Sequence, residues 1–402
     1  MRILQIHNQY SLPGGEDAAA DAEAALLKEA GHDVNPVRVR NPAGGSAAVV
    51  KLAGAAWNPM RYREMRRFLR ADRPDVAHLH NSWFSLSASV IDALHAEGVP
   101  IVMTLHNYRL LCSNALLFRD GKVCTDCVGG HPWHAVRHKC YRDSMGQSAV
   151  AAATIAGTRS RGTWERVTRF LAPSQFVKNI YVSAGFDPER IIVKSNAVAD
   201  PGPRASRPST SSTVLCVGRL APEKGVGTLL EAWRSAAGSL RNLELLIVGD
   251  GPSRESLERD APDRVRFTGW ASGQDLRRLM LASRALVVPT ECYETFGLVA
   301  VEAMAAGMPV VCSNIAGPSE VAGELGAEWL VTPGDVAGWE AALNRLADDG
   351  SVDTAGDKAR GLYAQKFTIS EGLRMILAAY DEAMRAVGVQ LTPSGQPSDL
   401  AP

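Results

Sequence analysis

Short runs of β-branched and aliphatic residues alternate along the chain with longer Ala- and Leu-rich stretches of helical period. In the first half, the runs predicted as strands are Arg2–His7, Val34–Val39, Val76–His80, Ile101–Leu105, Arg169–Ala172 and Ile191–Lys194. In the second half they are Thr213–Val217, Leu243–Val248, Val265–Thr268, Ala285–Pro289, Pro309–Cys312 and Trp329–Val331. Strand–helix alternation of this kind predicts parallel sheets joined by right-handed crossovers. A Pro- and Ser-rich stretch around 200–212 breaks the rhythm and reads as a linker. The expected organisation is a first Rossmann-like domain over 1–198, a linker over 199–212 and a second Rossmann-like domain over 213–370. A helix over 371–388 is long enough to pack back on the first domain, and 389–402 reads as a disordered tail. Two doubly wound α/β domains facing across a cleft put the default ligand site at the carboxyl ends of their strands.

Composition fits this picture. The chain has 402 residues, 46% hydrophobic and 21% charged, enough for two cores and unlike a disordered chain. Formal net charge is zero, but residues 1–200 hold 24 Lys and Arg against 18 Asp and Glu, and the remainder holds 19 against 25. A basic first half suits an anionic acceptor or membrane surface; uneven solvated faces explain the split equally well. Nucleic acid is not an expected partner. The first residues run straight into a strand with no small-residue cleavage site, and no apolar run approaches the roughly 20 residues that span a bilayer. The expected location is therefore cytoplasmic, extending to the inner face of the membrane. Seven cysteines in that compartment do not imply a disulfide framework.

Three signals follow strands of the second half. In Val217–Gly225, VGRLAPEKG, Gly218 permits a sharp turn, and Arg219 and Lys224 put two cations on the loop that opens the next helix. Two cations beside a diphosphate hold it and stabilise it as it departs. Gly249 and Gly251 relax the turn after Val248. In Val288–Leu298, VPTECYETFGL, Phe296, Gly297 and Leu298 lead into a helix whose amino end favours phosphate. Glu294 in the loop can reach sugar hydroxyls, and Glu302, about a turn into the helix, can reach ribose hydroxyls. Ordinary surface charges on capped turns would account for each signal taken alone.

Together, in this order, the three segments resemble the fourth family of retaining glycosyltransferases. Glu294 and Glu302 are separated by seven residues in the matching frame, and the resemblance covers nearly the whole chain. It implies the two-domain GT-B fold and a nucleotide-sugar donor. Arg219 and Lys224 would bind the donor diphosphate, Glu294 the donor sugar and Glu302 the ribose. The resemblance also implies that the Gly14-Gly15 loop touches donor phosphate and acceptor. Gly14 and Gly15 do not form a Gly-x-Gly-x-x-Gly pattern, which disfavours a nicotinamide cofactor.

His80 and His106 each end a strand, where reacting groups cluster. Both are candidate acceptor contacts, with Asn107 beside His106; a packed or capping histidine is the alternative. Related chains often carry Asp where Asn107 stands, and Asn cannot act as the anionic partner of a histidine base. The Cys-containing insertion, 107–145, holds Cys112, Cys124, Cys127 and Cys140. Four thiolates suit a tetrahedral structural zinc, and free thiols are the alternative. The Arg-rich segment Pro59–Pro74 suits anionic lipid or a solvated outer helix face. No Asp-x-Asp pair occurs, so the reaction expected is metal-free sugar transfer with retention, to a glycan, lipid-linked or small-molecule acceptor. A nucleotide-sugar epimerase and a non-catalytic nucleotide-sugar-binding subunit are the rival readings.

Overall fold

A computed structural model describes residues 1–9, 15–40, 56–81 and 86–388. In chain order the first half carries β1 (Arg2–Gln9), α1 (Gly15–Glu29), β2 (Asp33–Arg40), α2 (Pro59–Ala71), β3 (Val76–Asn81), α3 (Ser89–Ala96) and β4 (Ile101–Thr104). After these come a hairpin, β5 (Phe118–Arg119) and β6 (Lys122–Val123), α4 (His134–Arg137) and α5 (Met145–Ser160). Strand β7 (Arg169–Ala172), α6 (Gln175–Ser183) and β8 (Ile191–Val193) close the half. The second half runs β9 (Thr213–Val217), α7 (Val226–Ser235), β10 (Glu244–Val248), α8 (Arg254–Arg259), β11 (Val265–Gly269), α9 (Gly273–Ala282), β12 (Ala285–Val288), α10 (Leu298–Ala305), β13 (Val310–Ser313), α11 (Ala316–Ala322) and β14 (Leu330–Val331). Three helices end it: α12 (Val336–Arg345), α13 (Asp349–Lys366) and α14 (Ile369–Ala386).

Each of the twelve strands expected from the hydrophobic pattern is present. They form two six-stranded sheets, ordered β2-β1-β3-β4-β7-β8 and β11-β10-β9-β12-β13-β14. The residues explain the positions. Central strands β4, β12 and β13 are buried along their whole length, as continuous apolar runs covered on both faces must be. Strand β2 lies at an edge, where Pro36 removes no inner ladder bond. Helix α2 starts where Pro59 follows Asn58, whose side chain accepts from the amides of Met60 and Arg61 at 2.9 and 3.2 Å.

Two compact units emerge. One comprises Met1–Thr104, Gly157–Leu171 and Ile376–Pro402; the other comprises Leu105–Ala156 and Ala172–Met375. Within the first, α14 buries Ile376, Ala379, Tyr380, Ala383 and Met384, and the Tyr380 hydroxyl lies 2.8 Å from His78 Nδ1. Within the second, Trp233 and Trp339 are fully buried. The segment before β9 is pinned to its own unit. Arg204 donates to the carbonyls of Met280, Ser283 and Ala306 at 3.0, 2.7 and 3.1 Å. The hairpin β5–β6 was not foreseen: two residues per strand are too few to show a period. Around it, Ala115, Leu117, Asp120, Lys139, Arg142 and Asp143 all have positive φ. Helix α1 begins at Gly15. Among the described residues, no helix is long and apolar enough to cross a membrane. Gly14 and the 389–402 tail lie outside the described residues.

Candidate donor-binding site

The order of strand addition reverses between the parallel neighbours β9 and β12, a topological switch point where the loops beyond two neighbouring strands open a crevice. Those loops carry Gly218–Gly225 and Pro289–Gly297. They are clasped together: the Glu291 amide donates to the Glu223 carbonyl at 3.0 Å. Gly225, at φ +65°, makes the approach possible, because a Cβ there would sit 1.9 Å from the Pro289 oxygen. Gly249 serves the neighbouring loop alike, since its Cβ would meet the Gly218 oxygen at 1.8 Å. Its amide donates to the Gly269 carbonyl at 2.8 Å. In this structure Gly249 sets loop packing.

Lys224 and Glu294 meet across the clasp, Nζ to Oε1 at 2.7 Å, with side chains 26% and 19% exposed. Burial opposes the charge on both. The mutual attraction overcomes it, raising the ammonium and, with a further hydrogen bond from Thr290, holding the carboxyl below its ordinary range. Arg219 lies against Glu223, four residues on, and keeps 55% of its side chain in solvent. Both cations expected to receive a diphosphate are thus held by carboxylates at one spot, and an anionic ligand would exchange for those partners.

The loop after β12 then feeds α10. Gly297 caps it at φ +90°, Phe296 is buried with its ring edge toward Phe367, and Leu298 is at the surface. The first amides of α10 have no intrahelical acceptor and stand at the positive end of its dipole. On the same helix, Glu302 lines a cavity of about 120 Å³ with Pro201, Gly273, Leu276, Arg277 and Met280. Burial pushes its carboxyl above the ordinary range, and Arg277 opposes that only in part. Sequence reasoning missed Arg277, because nothing in the chain links α9 to α10. The two glutamates of the motif therefore differ: Glu294 is ion-paired, whereas Glu302 faces a cavity beside one cation.

His106 and Asn107 follow β4 and join the same loop cluster through the backbone. The Thr295 hydroxyl donates to the His106 carbonyl at 3.1 Å, and the Tyr181 hydroxyl to the Asn107 carbonyl at 2.8 Å. Ser174 donates to the Thr295 carbonyl at 2.8 Å, and Glu320 accepts from the amides of Gln175 and Phe176 at 2.8 and 2.5 Å. None of these supports was legible beforehand, since each joins residues more than a hundred or, for Tyr181, 74 positions apart.

His80 has different surroundings. It is 4% exposed, and its Nε2 lies 3.1 Å from Glu23 Oε1 and 3.0 Å from Gln5 Nε2. His78 shares the Glu23 oxygen at 2.8 Å, because alternate residues of a strand face the same side. Burial and the neighbouring His78 push His80 down to about 4, while burial of Glu23 is outweighed by the two histidines, which hold its carboxyl low. His80 is thus packed inside a buried polar cluster. Gly15 opens α1.

None of the four insertion cysteines is in a disulfide, and Cys112 and Cys127 are buried. Burial pushes Cys127 up to about 12, and Cys112, Cys140 and Cys124 add to the shift, so the four share one electrostatic neighbourhood.

Two parallel six-stranded α/β sheets, with cations and a helix start gathered at a switch point, define a nucleotide-sugar-binding protein of the GT-B fold. Comparison with known proteins carries this further. Residues 211–349 match the family model described as glycosyl transferases group 1, and residues 14–200 match that of Glycosyltransferase Family 4. Phosphatidyl-myo-inositol mannosyltransferase of Mycolicibacterium smegmatis is 26% identical over 403 residues, covering 96% of this chain and 94% of its own. The 2-deoxystreptamine glucosyltransferase of Streptomyces kanamyceticus is 27% identical, covering 80% of each chain. Anabaena HepE, crystallised with UDP, shares the fold at a TM-score of 0.64 and 19% identity, covering 95% of this chain and 100% of its own. The chain belongs to family 4 of the glycosyltransferases and is a hexosyltransferase that uses a nucleotide-sugar donor.

Proposed function

We propose that the protein transfers a hexose from a UDP- or GDP-sugar to a glycan, lipid-linked or small-molecule acceptor, with retention of anomeric configuration and without a catalytic metal. The observation that carries this reading is the Lys224–Glu294 pair at the switch point, beside the start of α10. Arg219, Lys224 and the α10 amides neutralise the charge that develops on the departing diphosphate, a role worth about 10² to 10³ in rate per donor removed. Phe296, Gly297 and Leu298 shape that end of the site. Glu294 receives hydroxyls of the donor sugar and Glu302 those of the ribose, and Gly14 and Gly15 complete the set of donor-binding residues. His106, Asn107 and His80 are the acceptor-side residues, the first two touching acceptor and donor hydroxyls.

The chemistry balances without an enzymatic nucleophile. The bond from the anomeric carbon to the diphosphate breaks as the acceptor oxygen bonds on the same face. The acceptor proton passes to the departing phosphate oxygen, and the nucleoside diphosphate leaves. NMR of the isolated product tests this: retained configuration supports it, and an inverted product overturns it. Donor converted to its epimer with no acceptor present would favour an epimerase instead.

Two further parts of the reading concern place and scaffold. The enzyme works at the inner face of the membrane, in polysaccharide or lipid-linked oligosaccharide assembly. Cys112, Cys124, Cys127 and Cys140 hold a structural zinc that staples an insertion whose regular structure is one hairpin and one helical turn. Zinc released on denaturation at about one per chain supports the staple, and a metal-free folded protein overturns it.

A further inference from the structure

Helix α1 and strand β3 bring three donor atoms to one buried point. His78 and His80 face the same side of β3, as alternate residues of a strand do. They are 0% and 4% exposed, and Glu23 of α1 meets both with a side chain 13% exposed. Its Oε1 lies 2.8 Å from His78 Nδ1 and 3.1 Å from His80 Nε2, and the three atoms all lie within 4.8 Å of one another. An ion about 2.1 Å from two ligands at right angles holds them about 3.0 Å apart. The two spacings fall on either side of that value.

The surrounding hydrogen bonds say what these atoms offer. The Gln5 amide is oriented by its other partners: Nε2 donates to the Ala20 carbonyl at 3.0 Å, and Oε1 accepts from Arg38 at 2.5 Å. The nitrogen that faces His80 Nε2 at 3.0 Å is therefore a donor, so that ring atom presents a lone pair. His78 Nε2 lies 2.8 Å from the Thr104 hydroxyl, and Nδ1 lies 2.8 Å from the Tyr380 hydroxyl. With Nε2 donating to Thr104, Nδ1 presents a lone pair as well. A ring N–H anchored on a neighbouring oxygen is how metal-bound imidazoles are oriented. Two imidazole lone pairs and a carboxylate thus converge, and a buried carboxylate needs a cation beside it. Two imidazoles with one carboxylate are the donor set of a divalent transition metal. Gln5 keeps Ala20 and Arg38 when its second N–H yields His80 to the ion.

We propose that Glu23, His78 and His80 form a structural site for a divalent first-row transition metal of the zinc type, tying α1 to β3 beside Tyr380 of α14. The ion takes no part in sugar transfer, and the site is separate from the insertion cysteines. Its ligands come from two elements far apart in the chain, so binding adds directly to folding stability.

Zinc is the probe. Full-length protein purified from zinc-supplemented cells and dialysed is analysed by plasma mass spectrometry, and its melting is compared with protein refolded in chelator. The wild type is expected to keep at least about one zinc per chain and to melt higher with it. The E23Q/H78Q variant replaces two ligands by neutral groups of similar shape and is expected to hold about one ion fewer. Cobalt(II) in place of zinc separates this site from the cysteines: the variant should lose weak ligand-field bands and keep any thiolate charge-transfer band. Equal metal content in variant and wild type overturns the proposal, as does a wild type that melts identically with zinc and without it. Should the variant not fold, X-ray absorption at the zinc edge of the wild type decides. Nitrogen and oxygen neighbours support the site, and sulfur neighbours alone overturn it. Nucleoside diphosphate binding by E23Q/H78Q is expected to match the wild type, so failure of this proposal leaves the donor reading standing.

Discussion

Replacing Lys224 by Met leaves Glu294 with a carboxylate that is four-fifths buried and without its cation. Removing one partner of a buried pair costs about 3 to 5 kcal/mol, and the residual exposure of both side chains places this pair near the lower end. The E294Q variant strands the ammonium instead and costs a similar amount. The double variant K224M/E294Q removes both charges and returns close to wild-type stability, because well-packed neutral replacements of a buried pair are often neutral. The coupling energy is therefore expected to be at least about 2 kcal/mol.

The sign with pH follows from the two shifts. Glu294 is held low, so its contribution is present above the ordinary carboxylate range and is lost as pH falls through its folded value. Lys224 is raised, so its contribution is lost only as pH climbs through its folded value. Between those limits wild-type stability from this pair is flat. In K224M burial is opposed only by the Thr290 hydrogen bond and raises Glu294, so the defect shrinks as pH falls and the carboxyl takes up a proton. Urea unfolding followed by fluorescence of the buried Trp233 and Trp339 reads all four proteins. Single variants costing under about 0.5 kcal/mol, or a double variant equal to the sum of the singles, would refute the reasoning.

Three other outcomes are expected. In G225A, a side chain at positive φ costs about 1 to 2 kcal/mol, and its Cβ must displace the Pro289 carbonyl; urea titration should show more than that loss, with weakened donor binding. In E302Q, removal of a buried carboxylate should stabilise the fold by roughly 0.5 to 2 kcal/mol, while calorimetry shows about tenfold weaker nucleoside diphosphate binding. Because Glu302 is raised, wild-type affinity should also fall as pH drops through its folded value. Loss of the buried Tyr380 hydroxyl in Y380F removes one of two partners of His78 Nδ1, Glu23 remaining at 2.8 Å, and should cost about 0.5 to 1.5 kcal/mol in thermal unfolding.

The strands were legible because parallel sheets covered on both faces need unbroken apolar runs, as in β12 and β13. The loop cluster was legible in part: spacing placed Lys224 and Glu294 at the ends of two strands, and strand order, which spacing does not fix, made them neighbours. What the chain hid are partnerships across distance. Glu302 faces Arg277 from another helix, and His80 is enclosed by Glu23, 57 positions upstream. For His80 the strand end was visible, and the helix α1 that brings Glu23 to it was not. The hairpin at Phe118 was hidden for a simpler reason, being shorter than any period.

Titration calorimetry of UDP, GDP and ADP against the wild type, R219A and K224M bears most directly on the donor pocket. One of the three nucleotides should bind the wild type, with both variants weakened about tenfold or more, since each loses a charge-assisted bond to phosphate. Unchanged affinity in both variants, or no binding of any of the three to the wild type, would mean that the cations at the β9–β12 switch point do not hold a nucleoside diphosphate.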